Sequence, residues 1–403
     1  MKKILILIVS VLILTSCKEP NSVDDSKTVL RFATWASDES LDEQQKLVDQ
    51  FNNQSSTIFV KLEAYGDDFD TKITAGMGSK DAPDVMYMWN YPKYYEGLEA
   101  LDEYIEQEGA EFKEDYYDAL WNYNTIEGTI YGIPIGFATH AVYYNKDLFD
   151  LYNIDYPDAT WTWDEFTTIA RKLTDDTKGH YGLVLPAKPD PYDFEMYLWS
   201  NGTAYQKDGK LNGHINSKEA LTVFNEMQKY IADDLAIMSE DSGTDEMKTG
   251  NVGMFIYGTW GIAPFNESGL NYGVVELPNR DGKESVSIVN TSGLAISKHS
   301  QYKEEAFEFI KFWTGEEGSL ARIEHELPSL KSVVEKQSLH DDEILGVFYS
   351  MLEKSDGYTP SSFTYEDWSE LSSEISLSFE RIFNPTTLED PKQVFEELIE
   401  MRE

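Results

Sequence analysis

Three short segments of the sequence place an aromatic ring beside polar side chains. They are residues 35–39, 65–68 and 89–91, with the sequences WASDE, YGDD and WNY. An aromatic ring offers a large, flat apolar face on which a ligand can stack, and a carboxylate accepts charge-assisted hydrogen bonds from hydroxyl groups. Since the first two segments also carry carboxylates, the combination indicates a site for a ligand that has both apolar faces and hydroxyl groups.

Each of these segments follows a predicted β-strand. Residues 29–34, 58–62 and 84–88 are the predicted strands, and helical segments separate them. A capping box formed by Ser40 and Glu43 predicts the start of the first of these helices. Strands and helices that alternate in this way predict an α/β fold with a parallel sheet. Because ligands bind beyond the carboxyl ends of the strands in such sheets, we expect the three segments to meet in one site.

Residues 127–173 mark the passage of the chain from one packed unit to another. Pro134 and Gly136 interrupt an apolar, β-rich run, and residues 141–144 then form a separate predicted strand. Thr162 and Glu165 form a capping box, after which apolar residues recur at helical spacing. This order of elements predicts that a stiff strand leaves one unit and begins another.

The first residues of the chain have the features of a lipoprotein leader. Lys2 and Lys3 precede an apolar run at residues 4–14, which is too short to span a bilayer as a helix. Residues 14–17, LTSC, then form a lipobox, which predicts a signal peptide at residues 1–16, lipidation of Cys17 and a lipidated tether at residues 17–27. A thioether lipid together with an acyl chain provides stable anchoring. We therefore expect the protein on the extracellular face of the cell membrane, attached through this anchor only.

The composition narrows the range of partners. The 403 residues include 73 acidic and 33 basic side chains, which gives a net charge of −40, and removal of the leader makes the chain more negative still. Such a chain repels nucleic acid phosphates and anionic lipid headgroups, so no nucleic-acid partner is expected. Solubility at a cell surface would account for the acidity, and so would a cationic ligand. A hydrophobic content of 41% indicates a folded chain.

Motifs of common enzyme classes are missing from the sequence. It contains no G-x-S-x-G nucleophile elbow and no G-x-x-x-x-G-K phosphate loop. Cys17 is the single cysteine and the six histidines are scattered, so no disulfide, metal site or cofactor is expected. Pairs of carboxylates are too frequent in this acidic chain to identify or exclude a glycosidase. The sequence therefore predicts a protein that is not an enzyme.

Four motifs carry a resemblance to a known family. They are DAPDVMYMW at residues 81–89, IYGIP at 130–134, VYYNKDLF at 142–149 and KTGNVGMFIYGTW at 248–260. With these motifs the chain resembles the extracellular solute-binding proteins of family 1, in the sugar-binding group of ABC importers that includes the maltodextrin-binding proteins. The resemblance implies a type II periplasmic-binding-protein-like fold, with two α/β lobes, parallel-rich sheets and a multi-crossing hinge. Lobe 1 would comprise residues 28–133 plus 278–327, and lobe 2 residues 134–277 plus 328–403.

The resemblance also implies a set of ligand-binding residues. These are Asp38, Glu39, Asp67, Trp89, Asp190, Tyr192, Trp260 and Trp368, and Trp35 is a further candidate because it follows the first predicted strand. Trp89 and Trp260 would stack on the ligand from the two lobes. Each candidate has an alternative role, in the core for the aromatic residues and on the solvated surface for the acidic ones. Three further tryptophans are interpreted as packing residues, namely Trp121, Trp161 and Trp313.

The resemblance departs from the maltodextrin binders at one position. Ala138 stands where those proteins carry a carboxylate in the strand after the first crossing. This substitution argues against maltodextrin itself and in favour of a different or smaller oligosaccharide.

The expected function is therefore that of a lipid-anchored, monomeric receptor. It would capture a carbohydrate, an oligosaccharide, and deliver it to the membrane subunits of an ABC importer. One alternative is a receptor for a cationic solute such as a polyamine or basic peptide, whose affinity would fall steeply with ionic strength. The other is a surface glycoside hydrolase, which would turn over an oligosaccharide.

Overall fold

The computed structural model describes residues 26–280, 282–323 and 326–402. The predicted signal peptide, Cys17 and most of the predicted tether lie outside these residues, and so does the side chain of Glu39.

Strands and helices alternate through most of the described chain. Its β-strands are β1 Thr28–Thr34, β2 Ile58–Ala64, β3 Val85–Met88, β4 Thr125–Ile126, β5 Thr129–Ile130, β6 Ile133–Asn145, β7 Tyr181–Pro186, β8 Ala236–Ser239, β9 Val252–Gly258, β10 Tyr272–Val275, β11 Val289–Ile296 and β12 Leu327–Pro328. Its α-helices are α1 Asp38–Gln54, α2 Phe69–Ser79, α3 Tyr91–Tyr94, α4 Asp102–Glu108, α5 Ala110–Glu114, α6 Asp118–Asn122, α7 Lys146–Leu151, α8 Trp163–Leu173, α9 Pro191–Ser200, α10 Lys218–Ala232, α11 Thr244–Lys248, α12 Ile262–Ser268, α13 Lys303–Thr314, α14 Glu316–Ala321, α15 Lys331–Lys336, α16 Leu345–Lys354, α17 Ser361–Thr364, α18 Trp368–Ile382 and α19 Pro391–Arg402. Short 3₁₀ turns lie at Gly66–Asp68, Tyr95–Gly97, Thr259–Gly261 and Leu339–Asp341.

The main sheet has the strand order β2-β1-β3-β11-β6-β9-β7-β8. At one end β1 pairs in parallel with β2 and β3, and at the other end β7 pairs in parallel with β8 and β9. Around the central β6 the pairing is antiparallel, with β9, β10, β11 and β12. The two halves of the sheet and their helices form two α/β lobes. The predicted α/β class is therefore confirmed, and so is the parallel pairing of the first three strands.

The central strand β6 belongs to both halves of the sheet. It is 13 residues long, and every residue in it is buried. Residues 133–139 pair with β11, and residues 140–144 pair with β9. The prediction that Pro134 and Gly136 break this run is wrong. The strand accommodates Pro134, which has no N–H to donate, because the register with β11 shifts by one residue between Ser292 and Gly293.

Aromatic rings fill the core on each side of β6. In the β1–β3 half, Phe32 packs edge-on against Trp313 and Phe309, with ring centroids 4.8 and 5.0 Å apart. In the other half, Phe194 and Phe379 bring α9 and α18 together at 4.7 Å. Such pairs bury large apolar areas in preferred geometries. Three tryptophans interpreted as packing residues are indeed buried, namely Trp121, Trp161 and Trp313.

The two predicted capping boxes have different outcomes. At α8 the prediction is confirmed, since Glu165 N–H donates to Thr162 Oγ1 at 3.3 Å and Thr162 N–H donates to the Glu165 carboxylate at 2.8 Å. At α1 the prediction is wrong, because the helix already begins at Asp38 and its N-cap is Ser37. Ser40 therefore lies within the first turn, where its hydroxyl is not at the capping position.

Within the described ranges, no helix has both the length and the apolar character needed to cross a bilayer.

Replacement of Gly182 by alanine is expected to destabilise the fold. A Cβ atom at this position of β7 would lie 2.2 Å from the carbonyl oxygen of Ala170 in α8, so helix and sheet must separate. We expect a loss of about 1–3 kcal/mol in the free energy of unfolding, measured by urea denaturation. Gly78→Ala is the matched control, since nothing lies within 4 Å of its added Cβ and alanine favours helix. Equal effects of the two variants would contradict this account of packing.

Candidate functional site

A cleft of about 1160 Å³ lies across the middle of the sheet. Its floor includes Gly136, Phe137 and Ala138 from the middle of β6, and Asn290 to Ser292 from β11. Its walls come from segments that are far apart in the chain. They contribute Trp35, Trp89, Asn90, Pro92, Tyr123, Lys188, Pro189, Asp190, Pro191, Tyr192, Asp193, Thr259, Trp260, Glu326, Ser362, Phe363, Trp368, Ser369, Ser372, Ser373, Ser376 and Glu380.

Trp89 and Trp260 lie in the cleft with much of their surface open. The exposed fractions are 49% for Trp89 and 42% for Trp260, and every other tryptophan in the described residues is buried or half-buried. Exposure of a large apolar ring in a cleft costs free energy that packing would recover. Two such rings in one cleft therefore indicate surfaces that a ligand covers.

The position of Trp260 follows from a glycine at the end of β9. A Cβ atom on Gly258 would lie 2.5 Å from Cζ2 of the Trp260 indole, so glycine lets the indole lie directly against the strand. The rings of His140 and Tyr257 contact the indole in T-shaped geometry, with centroids 5.3 and 5.5 Å away. Burial lowers the pKa of His140, which keeps its imidazole neutral at neutral pH. His140 and Tyr257 thus pack against one part of the indole, while the rest of its surface faces the cleft.

Trp35 and Trp368 also line the cleft, but both are half-buried. The Trp35 ring packs against Tyr87 and Phe69, with centroids 4.9 and 5.2 Å away. Trp368 begins α18 and lies 6.0 Å from the ring of Tyr205. Both rings therefore contribute to packing as well as to the cleft surface.

Asp190 and Tyr192 stand at the start of α9. Asp190 is the N-cap, and its Oδ1 accepts from Tyr192 N–H at 2.8 Å, with Pro191 in the first turn. The Tyr192 hydroxyl donates to the carbonyl oxygen of Val289 at 2.9 Å, and burial raises its pKa. This arrangement fixes the tyrosine ring at the cleft wall and leaves a carboxylate beside it.

Two acidic candidates, Asp38 and Asp67, do not line the cleft. Asp38 is exposed at the first residue of α1, with a φ of 49°. Asp67 is exposed in the 3₁₀ turn Gly66–Asp68. The side chain of Glu39 lies outside the described residues. Ligand contacts by these three residues stay predictions.

Several cleft residues were not among the candidates from the sequence. Asp193 accepts from Asn290 Nδ2 at 3.3 Å and lies 4.0 Å from His140 Nε2. Glu326 is held by the buried Arg322, whose Nε donates to its Oε1 at 2.5 Å. The partner of Asp193 is 97 positions away and gives no local signal, whereas Arg322 and Glu326 stand at the local i,i+4 spacing. A signal did exist for α18, where serines at 369, 372, 373 and 376 share one face at helical spacing.

The chemistry of the cleft is that of stacking and hydrogen bonding. Its carboxylates belong to Asp190, Asp193, Glu326 and Glu380, and its lysine, Lys188, lies 3.1 Å from Glu380. Across the described ranges, no group of three or more His, Cys, Asp and Glu side chains is arranged to hold a metal ion. The surface can therefore stack on apolar faces and accept hydrogen bonds from hydroxyl groups.

Comparison with known proteins identifies the family. The family model for bacterial extracellular solute-binding proteins matches residues 38–319, and the chain belongs to this family. A binding protein of Brucella abortus (strain 2308) is 30% identical over 258 residues, 60% of either chain. The galactooligosaccharide-binding protein of Bacillus subtilis (strain 168) is 26% identical over 242 residues, 57% of this chain and 56% of that one. The chain thus spans about three fifths of the length of the curated relatives it matches.

A solved structure shows the same fold over nearly the whole chain. It is an ABC substrate-binding protein of Listeria monocytogenes in complex with cycloalternan, with a TM-score of 0.76 and 23% identity. The match covers 93% of this chain and 98% of that one. The predicted family and fold are confirmed, and the family consists of binding proteins.

Asp190 is expected to stabilise α9 through its capping role. Asp190→Ala removes the acceptor for Tyr192 N–H and should lower the free energy of unfolding by about 1 kcal/mol, measured by urea denaturation. Asp190→Asn retains a capping oxygen and should cost much less. If the two variants are equally stable, the side chain does not cap the helix.

Proposed function

We propose that the protein captures a carbohydrate, an oligosaccharide, outside the cell and delivers it to the membrane subunits of an ABC importer. One observation carries this proposal: the exposed indoles of Trp89 and Trp260 line one cleft that also holds carboxylates and hydroxyl groups. A sugar has apolar C–H faces for the indoles and a rim of hydroxyls for the acceptors. The names of two similar proteins, which refer to galactooligosaccharides and cycloalternan, support the same ligand class.

The size of the cleft supports an oligosaccharide over a single sugar unit. Its volume of about 1160 Å³ exceeds the roughly 300–1,000 Å³ of sites for drug-sized ligands. An enclosed aromatic ring buries on the order of 150–250 Å², and a hydrogen bond to a charged group contributes about 1.5–3 kcal/mol. A few such contacts, less the ordering costs, reach the ~8 kcal/mol of a micromolar ligand.

The mechanism we propose is closure of two lobes on the ligand. The lobes would be residues 28–133 plus 278–327 and residues 134–277 plus 328–403, joined at β6 and two further crossings. Sugar would dock first on one lobe, and rotation about the hinge would bring the second lobe over it. Ligand favours the closed form only through the contacts that it gains there. We also expect a monomer.

A panel of mono- and oligosaccharides, screened by thermal shift, tests the ligand class. A bound ligand raises the unfolding temperature, because it stabilises the fold by an amount that grows with the logarithm of its free concentration divided by its Kd. The affinity of a neutral sugar should change little with ionic strength, whereas that of a cationic solute should fall steeply. Binding without product formation over hours would separate a receptor from a glycoside hydrolase.

Trp260→Ala is expected to weaken the binding of the best saccharide from this panel by more than tenfold. The fold should tolerate the change, because the indole is 42% exposed and its loss leaves no closed cavity. Tyr302→Ala is the matched control, a ring that is 43% exposed but does not line the cleft. Isothermal titration measures both affinities. An affinity within twofold of the unmodified protein for every saccharide bound would show that Trp260 is not a ligand contact.

We further propose that Cys17 carries the lipid anchor that keeps the receptor at the membrane surface. Cys17→Ser should release the protein into the medium, because a hydroxyl cannot form the thioether that holds the lipid. Immunoblots of the membrane and medium fractions measure this release. Retention of the variant at the membrane would contradict the lipobox prediction.

A further inference from the structure

Glu195 is a buried carboxylate behind the cleft wall. It lies on the inward face of α9 with 1% of its surface exposed. Its Oε2 accepts from the backbone N–H of Ser361 at 2.8 Å, and its Oε1 accepts from the Ser361 hydroxyl at 2.5 Å. Burial of a carboxyl group is unfavourable unless such partners are present. Both of these bonds come from one residue, 166 positions away in the chain, and the backbone of Tyr205 provides a further hydrogen bond.

This pair of hydrogen bonds joins two segments that line the cleft. On one side, the first turn of α9 contains the cleft residues Tyr192 and Asp193, a few residues before Glu195. On the other side, Ser361 begins α17, and the next two residues, Ser362 and Phe363, line the cleft. We name residues 361–368 the second wall, since this segment runs from Ser361 to the cleft ring of Trp368. The placement of the second wall relative to α9 thus depends on Glu195.

We propose that Glu195 is a positioning residue for the cleft, whose hydrogen bonds with Ser361 hold the second wall in the ligand-binding arrangement and whose ionisation makes saccharide affinity fall as pH rises. The inference rests on the proposed function and adds a regulation of the same site. A charged carboxylate in a buried position lacks the hydration that water would provide. Opening of the second wall restores this hydration, so ionisation favours opening and protonation favours the closed arrangement.

The surroundings of Glu195 place its titration within the neutral range. Burial raises the pKa of Glu195 to about 7, and the hydrogen bonds from Ser361 oppose this rise. The titratable side chains that face it are Tyr123, Tyr192 and Tyr205, and burial raises the pKa of each above the ordinary value. These tyrosines stay neutral where Glu195 titrates. On its own helix, Asp190 and Asp193 lie toward the cleft.

Stability and affinity should both fall as pH rises through the neutral range. A carboxyl group whose pKa is raised on folding stabilises the fold below its unfolded pKa of roughly 4.5, and this contribution is lost as pH rises through the folded pKa. Ionisation of Glu195 therefore costs stability. The same ionisation favours opening of the second wall and disfavours the ligand. A change in hydrogen exchange confined to the second wall separates positioning from a general loss of the fold.

The test compares Glu195→Gln with the unmodified protein, using the best saccharide of the panel. Glutamine keeps the shape, since its oxygen can accept from Ser361 N–H and its amide can donate to Ser361 Oγ. Isothermal titration over about two pH units on either side of 7 should show a fall of about tenfold in the affinity of the unmodified protein as pH rises. The Glu195→Gln affinity should stay within about twofold across this range. Glu103→Gln, an exposed control on α4, should keep the unmodified profile.

Ser361→Ala provides a second variant in case Glu195→Gln folds poorly. Removal of the hydroxyl takes one hydrogen bond from the ionised carboxylate and should move the midpoint of the affinity profile to higher pH. Unchanged midpoints in Ser361→Ala, or the full pH dependence in Glu195→Gln, would overturn the proposal.

A readout without ligand separates this inference from the proposed function. Hydrogen exchange of the backbone amides in the second wall reports its local opening. After correction for intrinsic exchange, protection should decrease as pH rises in the unmodified protein and stay constant in Glu195→Gln. If no saccharide binds, the proposed function fails, while this exchange result still decides the role of Glu195. Equal protection profiles in the two proteins would refute the positioning role even if sugar binds.

Discussion

The main constraint on the structure is that the two halves of the main sheet share one strand, β6. Every residue of β6 is buried, so each of its backbone N–H and C=O groups needs a partner within the protein. The first half of β6 finds them in β11 and the second half in β9 and β10. The shared strand joins the lobes and supplies the floor of the cleft at Gly136 to Ala138. The site therefore lies where the backbone passes from one set of partners to the other.

The aromatic residues divide according to their neighbours and not according to their type. Trp313 is fully buried between Phe32 and Phe309, whereas Trp89 and Trp260 keep almost half of their surface open. Gly258 explains the difference for Trp260, because it brings the indole onto the end of β9 where no core covers it. A cleft built in this way has rigid stacking faces before any ligand arrives, which lowers the ordering cost of binding.

Short-range patterns predicted much of the fold, and the structure shows why two of these predictions are wrong. The parallel pairing of the first three strands and the capping box of α8 depend on residues close in sequence, and both are confirmed. The capping box at Ser40 has the same form but lies inside a helix that begins at Asp38. The strand-breaking tendency of proline also gave a wrong prediction at Pro134, because a register shift between β6 and β11 lets β6 continue. In both cases the surrounding structure outweighed a local preference.

The sequence by itself determined the family, the α/β class and the aromatic residues offered to a ligand, because motifs, periodicity and residue types are local properties. Only the tertiary structure decided which polar groups share the cleft. It brought Asp193 to Asn290 and left Asp38 and Asp67 exposed away from the cleft lining. It also joined Glu195 to Ser361 across 166 positions. Such contacts arise from the packing of distant elements around buried strands, and no pattern of neighbouring residues records them.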